Sequence, residues 1–191
     1  MEITGLDLAM GATGLCLPDG SVLTIKPKGK GDARYTEVRD HIRLAVRTSR
    51  TDLVVLESIQ GRSLKGDAAI VLPMMHGAVR AMLMDDGVPY VLLNQSTLKK
   101  FATGNGGADK TAMALAAFKR AHLEFANDNE CDAWWLHAAG MWRAERPVVM
   151  LPLPQRQALD VADWSPVAVV KERLRGRYAA TSQLLEDPFA A

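Results

Sequence analysis

Three carboxylates stand where apolar or amphipathic runs end or begin. Asp7 closes Ile3-Thr4-Gly5-Leu6-Asp7, Glu57 closes Leu53-Val54-Val55-Leu56-Glu57, and Asp132 opens a helix-like run in Asp132-Ala133-Trp134-Trp135. Carboxylate oxygens are the donors a hard cation such as Mg²⁺ prefers, and that ion keeps several of its waters. Two such ions about 4 Å apart can hold the attacking and leaving oxygens of an in-line phosphodiester displacement. Brought together without a cation, the acids would repel and shift one another's pKa. One acid at a strand end is as readily a solvated stop. Three, accompanied by the lysines described next, read as a metal site.

Gly104-Asn105-Gly106-Gly107-Ala108-Asp109-Lys110-Thr111 has the look of a phosphate loop but is not one. Asp109 stands where the last glycine of GxxxxGK[ST] is required, and a carboxylate there would face phosphate. What remains is a tight turn that delivers Lys110 into the first turn of a helix, against the helix dipole. A cation kept at that position suits contact with a phosphate backbone. Near Asp132, the i−4 and i−3 residues Asp128 and Asn129 fall roughly 40° and 60° to either side of its direction, so either can share its face. Glu130, two residues before, is expected to point away as a solvated or helix-start acid. Trp134, Trp135 and Trp142 read as core or interface.

The elements that must position these groups follow from periodicity. Strands are expected over 3–8, 11–17 and 21–25, with Pro18-Asp19-Gly20 as a turn, then a helix over 32–49 and a buried strand over 53–56. Residues 61–66 form a loop directly after Glu57. A helix over 67–84 contains Pro73, which can kink it. A fifth strand over 89–93 precedes a short helix capped by Ser96 and running to Phe101. Helices over 109–125 and 130–144 follow. Hairpin strands succeeded by alternating strands and helices imply an α/β fold, a five-stranded mixed sheet flanked by helices. Residues 1–145 form that domain. Residues 146–191, broken by Pro147, Pro152, Pro154, Pro166 and Pro188, form an appendage with short helices expected over 155–164 and 167–177.

Composition narrows the class. A hydrophobic share of 48% and a charged share of 24% are those of a globular protein. No apolar run approaches the ~20 residues of a membrane span, and no signal peptide is evident. Cys16 and Cys131 lack metal-pair spacing, and the four histidines form no zinc motif. A reducing cytoplasm is the expected compartment. Net charge is only +1, yet residues 21–50 carry eight Lys or Arg against three acids. That excess fits either a polyanion surface or the solvated face of a helix bearing Arg39, Arg43, Arg47 and Arg50.

In this order, Gly5-Leu6-Asp7, Val55-Leu56-Glu57, His76-Gly77, Lys99, Gly104-x-Gly106-x-Ala108-Asp109-Lys110 and Asp132-Ala133 resemble the RuvC-type Holliday junction resolvases of the RNase H-like, retroviral-integrase superfamily. The resemblance covers roughly residues 3–143, and the segment 127–134 is most similar to phage-borne members. It implies an RNase H-like fold, a homodimer, branched DNA as partner, and Mg²⁺ as cofactor with Mn²⁺ able to substitute. By the same resemblance Asp7, Glu57 and Asp132 are metal ligands, helped by Asp128 or Asn129. Lys99 and Lys110 contact DNA near the scissile phosphate, with Lys100, Arg62 and Lys65 as further DNA contacts. The products are 5′-phosphate and 3′-hydroxyl ends. Two departures stand out: the family's second aspartate three residues before the last is Asn129 here, and its aromatic three residues after the second acid is Gln60.

The expected activity is therefore a metal-dependent endodeoxyribonuclease on four-way or other branched DNA, in the cytoplasm of a bacterium or phage-infected cell. An RNA–DNA hybrid nuclease of the same fold is the first rival, and a non-catalytic junction-binding module another. Asp7 with Gly11-Ala12-Thr13-Gly14 is faintly similar to the phosphate loop of sugar-kinase-like ATPases, but 191 residues leave no room for the second large domain of that fold.

Overall fold

A computed structural model of the chain describes residues 1–59 and 65–186, the last nine of these as backbone. Five strands, β1 (Ile3–Asp7), β2 (Thr13–Cys16), β3 (Val22–Ile25), β4 (Leu53–Ser58) and β5 (Tyr90–Asn94), form one sheet in the order β3-β2-β1-β4-β5. The two hairpin pairs are antiparallel, and β1–β4 and β4–β5 are parallel. This is the mixed sheet expected from the sequence. Parallel neighbours need a crossover, which α1 (Asp32–Thr48) and α2 (Ala68–Asp85) provide on one face.

Side chains alternate across a strand, so each strand feeds two cores. Ile3, Leu53, Val55, Val91 and Leu93 turn to one face, with α3 (Gln95–Thr103), α4 (Lys110–Ala121) and α5 (Asp128–Arg143). Leu6, Leu15, Val54 and Leu56 turn to the other, against Val38 and Ile42 of α1 and Met75, Val79 and Met82 of α2. By length and apolar composition α2 could cross a membrane, but its inner side is part of this second core. Pro73 lies within α2 without ending it.

The segment after Arg146 joins the first core rather than hanging free. Val149 and Leu151 precede α6 (Leu153–Gln157) and a 3-10 turn (Ala158–Val161); with Leu159, Trp164, Val167 and Val170 they pack on the α3–α5 side. The expected helix over 155–164 is thus two short pieces, and the last helix, α7, is longer than expected, Ser165–Glu186. Arg173 and Arg177 reach back to the Asp52 carboxylate at 3.8 and 3.1 Å.

Helix ends differ from the expectation in instructive ways. Asn94, not Ser96, caps α3: its side chain accepts from the Thr97 amide, because it leaves β5 in extended conformation. Asp109 caps α4, and α4 stops at Ala121, where His122 turns left-handed (φ 57°). Asn127 caps α5, which starts at Asp128, two residues early. Glu130 is not solvated. It accepts from Thr24 Oγ1 (2.6 Å), Asn127 Nδ2 and the Ala126 amide (both 3.1 Å), tying the start of α5 to β3. The spacing Asn127-x-x-Glu130 is a capping-box pattern, and that is the signal from which this role was readable.

The contact that fixes the architecture is between α5 and the sheet. A Cβ at Gly5 would collide with the Ala133 carbonyl, and one at Gly14 with the Asn129 carbonyl. At the far end, Gly140 admits Ile3 and Val55, whose methyls would stand 2.8 Å from an added Cβ. The helix therefore lies on β1 and β2 at backbone contact. His137, whose pKa burial pushes down, donates from Nδ1 to the Ile3 carbonyl at 2.9 Å along the same seam. Gly14→Ala is expected to cost on the order of 3 kcal/mol in urea unfolding. Gly11→Ala, with nothing near its added Cβ, should stay within about 0.5 kcal/mol.

Candidate active site

Asp7 and Glu57 end the two central parallel strands on the same face of the sheet, as two-residue periodicity from Ile3-Gly5 and Leu53-Val55 requires. The register runs to Leu6↔Leu56, so the two acids occupy the next rung. Parallel neighbours lie about 4.8 Å apart. Both side chains are buried, at 5% and 1% exposure. Asp7 pairs across the hairpin with Gly14, and above Gly14 stands Asn129. The glycine contact thus sets the first turn of α5 directly over Asp7.

Asp132 follows on the same helix, half-buried. Its pKa is pushed up to about 7, first by burial, then by the negative charges of Asp7 and Asp128. Lys99 and Lys110 oppose that shift, which places both lysines within electrostatic reach. Lys110 Nζ forms an ion pair with Asp128 Oδ2. The Lys110 ammonium is stabilised first by its hydrogen bond to Asp128, then by the Asp128, Asp132 and Asp7 charges. The Asp128 carboxyl is held below the usual aspartate range by that same lysine hydrogen bond. The turn that the sequence analysis singled out therefore does bring Lys110 to the acids.

Other expected contacts fall elsewhere. Lys100, one residue round α3 from Lys99, lies along a groove with Ser96, Pro154 and Gln157 rather than at the acids. Lys65 is exposed just ahead of α2. Arg62 and Gln60 lie outside the described residues. On α1, Arg43 and Arg47 hold Asp86 at 3.2 and 2.8 Å, and Arg39 holds Asp40. Arg43 and Arg47 tie α1 to the end of α2 from a face that stays open to solvent.

Among the described residues, no three acid, histidine or cysteine side chains stand together closely enough to hold a metal ion between them. The donors still fit a hard cation. They are all oxygens, and Mg²⁺ keeps several waters while taking one or two protein carboxylates. An aspartate with its pKa near neutrality, raised in part by another carboxylate, is a site where added positive charge is favourable. Asp7, Glu57 and Asp132 are the groups that would hold it, with Asp128 or Asn129 as the fourth donor.

The Asp132 shift has a stability consequence. An acid whose pKa rises on folding, from about 3.9 in the unfolded chain, favours the fold when protonated. The penalty for its charge is absent below about pH 4, grows between pH 4 and 7, and is complete above pH 7. Asp132→Asn is expected to raise stability by about 2 kcal/mol at pH 8 in metal-free buffer and to lose that advantage at pH 4. Thermal melts of the two proteins across this range, with and without Mg²⁺, measure it. Mg²⁺ should narrow the gap at pH 8.

No family model matches the chain. It is 23% identical over 158 residues to the crossover junction endodeoxyribonuclease RuvC of Rhodopirellula baltica, a match spanning 76% of this chain and 89% of that protein. The solved structure of Thermus thermophilus RuvC superposes with a TM-score of 0.61 at 20% identity, over 78% of this chain and 100% of that one. The T. thermophilus RuvC bound to a Holliday junction substrate gives the same TM-score at 21% identity, over 78% and 99%. In sequence pattern and in its RNase H-like fold, the chain is RuvC-like.

Proposed function

We propose that this protein is a metal-dependent endodeoxyribonuclease that cuts Holliday junctions or related branched DNA as a cytoplasmic homodimer. The observation that carries the reading is that Asp7 and Glu57 lie at the carboxyl ends of the neighbouring strands β1 and β4, with Asp132 of α5 and Lys110 in electrostatic reach of Asp7. The sequence likeness to a crossover junction endodeoxyribonuclease supports it.

Asp7 neighbours Glu57 across the β1–β4 pair and acts electrostatically on Asp132, so it is the carboxylate best placed to be shared. Glu57 closes one side from β4 and Asp132 the other from α5. These carboxylates would hold a divalent cation, whose chemistry there would be to acidify water and offset phosphate charge. Lys110 and Lys99 bring positive charge to the rim of an otherwise acidic centre, so a phosphate meets cations before it meets carboxylates. The buried setting of Asp7 and Glu57 keeps their positions fixed, which favours in-line geometry.

The test is cleavage of labelled four-way junction, flap, duplex and RNA–DNA hybrid, with and without Mg²⁺ or Mn²⁺. Metal-dependent nicking of the junction is expected. Preferential cutting of the hybrid would instead support an RNA–DNA nuclease, and binding without cutting a non-catalytic module. Asp7→Asn should abolish nicking while junction binding in EDTA persists. Lys110→Ala should slow turnover roughly 100-fold, the scale of a lost electrostatic stabiliser, with little change in melting temperature.

A four-way junction offers two symmetry-related strands, which a two-fold dimer matches. The outer side of α2 supports such a pairing. Ile70, Met74 and Met84 are exposed there, with Pro73, Gly77 and Ala81 between them, an apolar stripe of the kind that marks an interaction surface. Light scattering should give about twice 20.8 kDa, and Met74→Asp should shift the mass toward the monomer.

A further inference from the structure

Asp128 stands one residue before the helix position that faces Asp7, and its charge makes it a natural fourth metal donor. In this structure its carboxylate, in one groove with Asp132, is taken up by a lysine. Asn129 is the residue whose carbonyl and Cβ lie over Gly14, the hairpin partner of Asp7. Asp128, the first residue of α5, instead meets Lys110, the first residue of α4. Two helix N-termini converge here, both electropositive. A carboxylate is at home at that point and an ammonium is not, so Lys110 needs a local anion to stay. Asp128 is the anion that pairs with it.

We propose that Asp128 is a positioning residue for Lys110, holding its ammonium at the rim of the acid cluster for the scissile phosphate, and is not itself a metal ligand. The inference rests on the nuclease reading above. Lys110 is 78% exposed and Asp128 37%. A pair so open to water contributes little to folding, so its effect lies in where the ammonium is kept. An unheld lysine samples many rotamers, and a misplaced charge near a reacting group lowers the rate steeply.

A double-mutant cycle separates positioning from ligation. Single-turnover junction cleavage is measured for wild type, Asp128→Ala, Lys110→Ala and the double variant. Mg²⁺ binding to each free protein is measured by calorimetry without DNA. With Lys110 present, Asp128→Ala should slow cleavage about tenfold. In the Lys110→Ala background it should change the rate less than about twofold. Asp128→Glu should restore most of the rate, and Mg²⁺ affinity should stay within about twofold of wild type in Asp128→Ala. Equal losses in both backgrounds, or Mg²⁺ affinity weakened tenfold by Asp128→Ala whether or not Lys110 is present, would overturn the proposal and make Asp128 a ligand. Wild-type protein inert on every DNA would overturn the nuclease reading and this proposal with it; wild-type cleavage with additive losses overturns the proposal alone.

Discussion

The backbone contact between α5 and the first hairpin is the constraint on which the rest depends. Helices usually rest on sheets through a layer of side chains. Here Gly5 and Gly14 remove that layer, and the carbonyls of Ala133 and Asn129 occupy the space. The result is that Asp132 and Asn129 arrive at the depth of Asp7 rather than a side chain above it. The close approach also draws His137 onto the Ile3 carbonyl and Glu130 onto Thr24. These polar ties fix the helix along its axis, where apolar packing alone would let it slide.

The same contact concentrates negative charge in a poorly solvated place. Asp132 is affected by Asp7 and by its own burial, and two buried acids end neighbouring strands below it. The arrangement is less favourable for an empty fold than for one holding a cation, a pattern that marks a site shaped for binding. The lysines do not enter the cluster. They stand at its edge, where they soften the repulsion without filling the space a phosphate would use.

Much of this was legible in the chain, and what was not has a physical reason. The faces of Asp7 and Glu57 follow from two-residue alternation, and the five strands from continuous apolar runs. Helical angle left Asp128 or Asn129 to share a side with Asp132, and Asp128 lines a groove with it. The pairing of Asp128 with Lys110 did not follow, because it depends on how two helices separated by a loop meet. Asn94 was passed over as a cap since it also ends a strand, and Glu130 was misread because its capping-box role requires Asn127 at the preceding turn. The proline-broken segment after Arg146 showed its short helices but not where they pack, and Leu159, Trp164 and Val170 complete the core beneath α3 and α5.

The sheet is a single layer, and β4 is its most shared strand. Val54 and Leu56 face α1 and α2, while Val55 and Glu57 turn to the α5 side of the sheet. Whatever docks on the outside of α2 is therefore separated from the chemistry by α2 itself and the thickness of one peptide chain. Leu56 and Glu57 are adjacent residues of β4, so one strand carries both the core beneath α2 and a buried carboxylate on the opposite face.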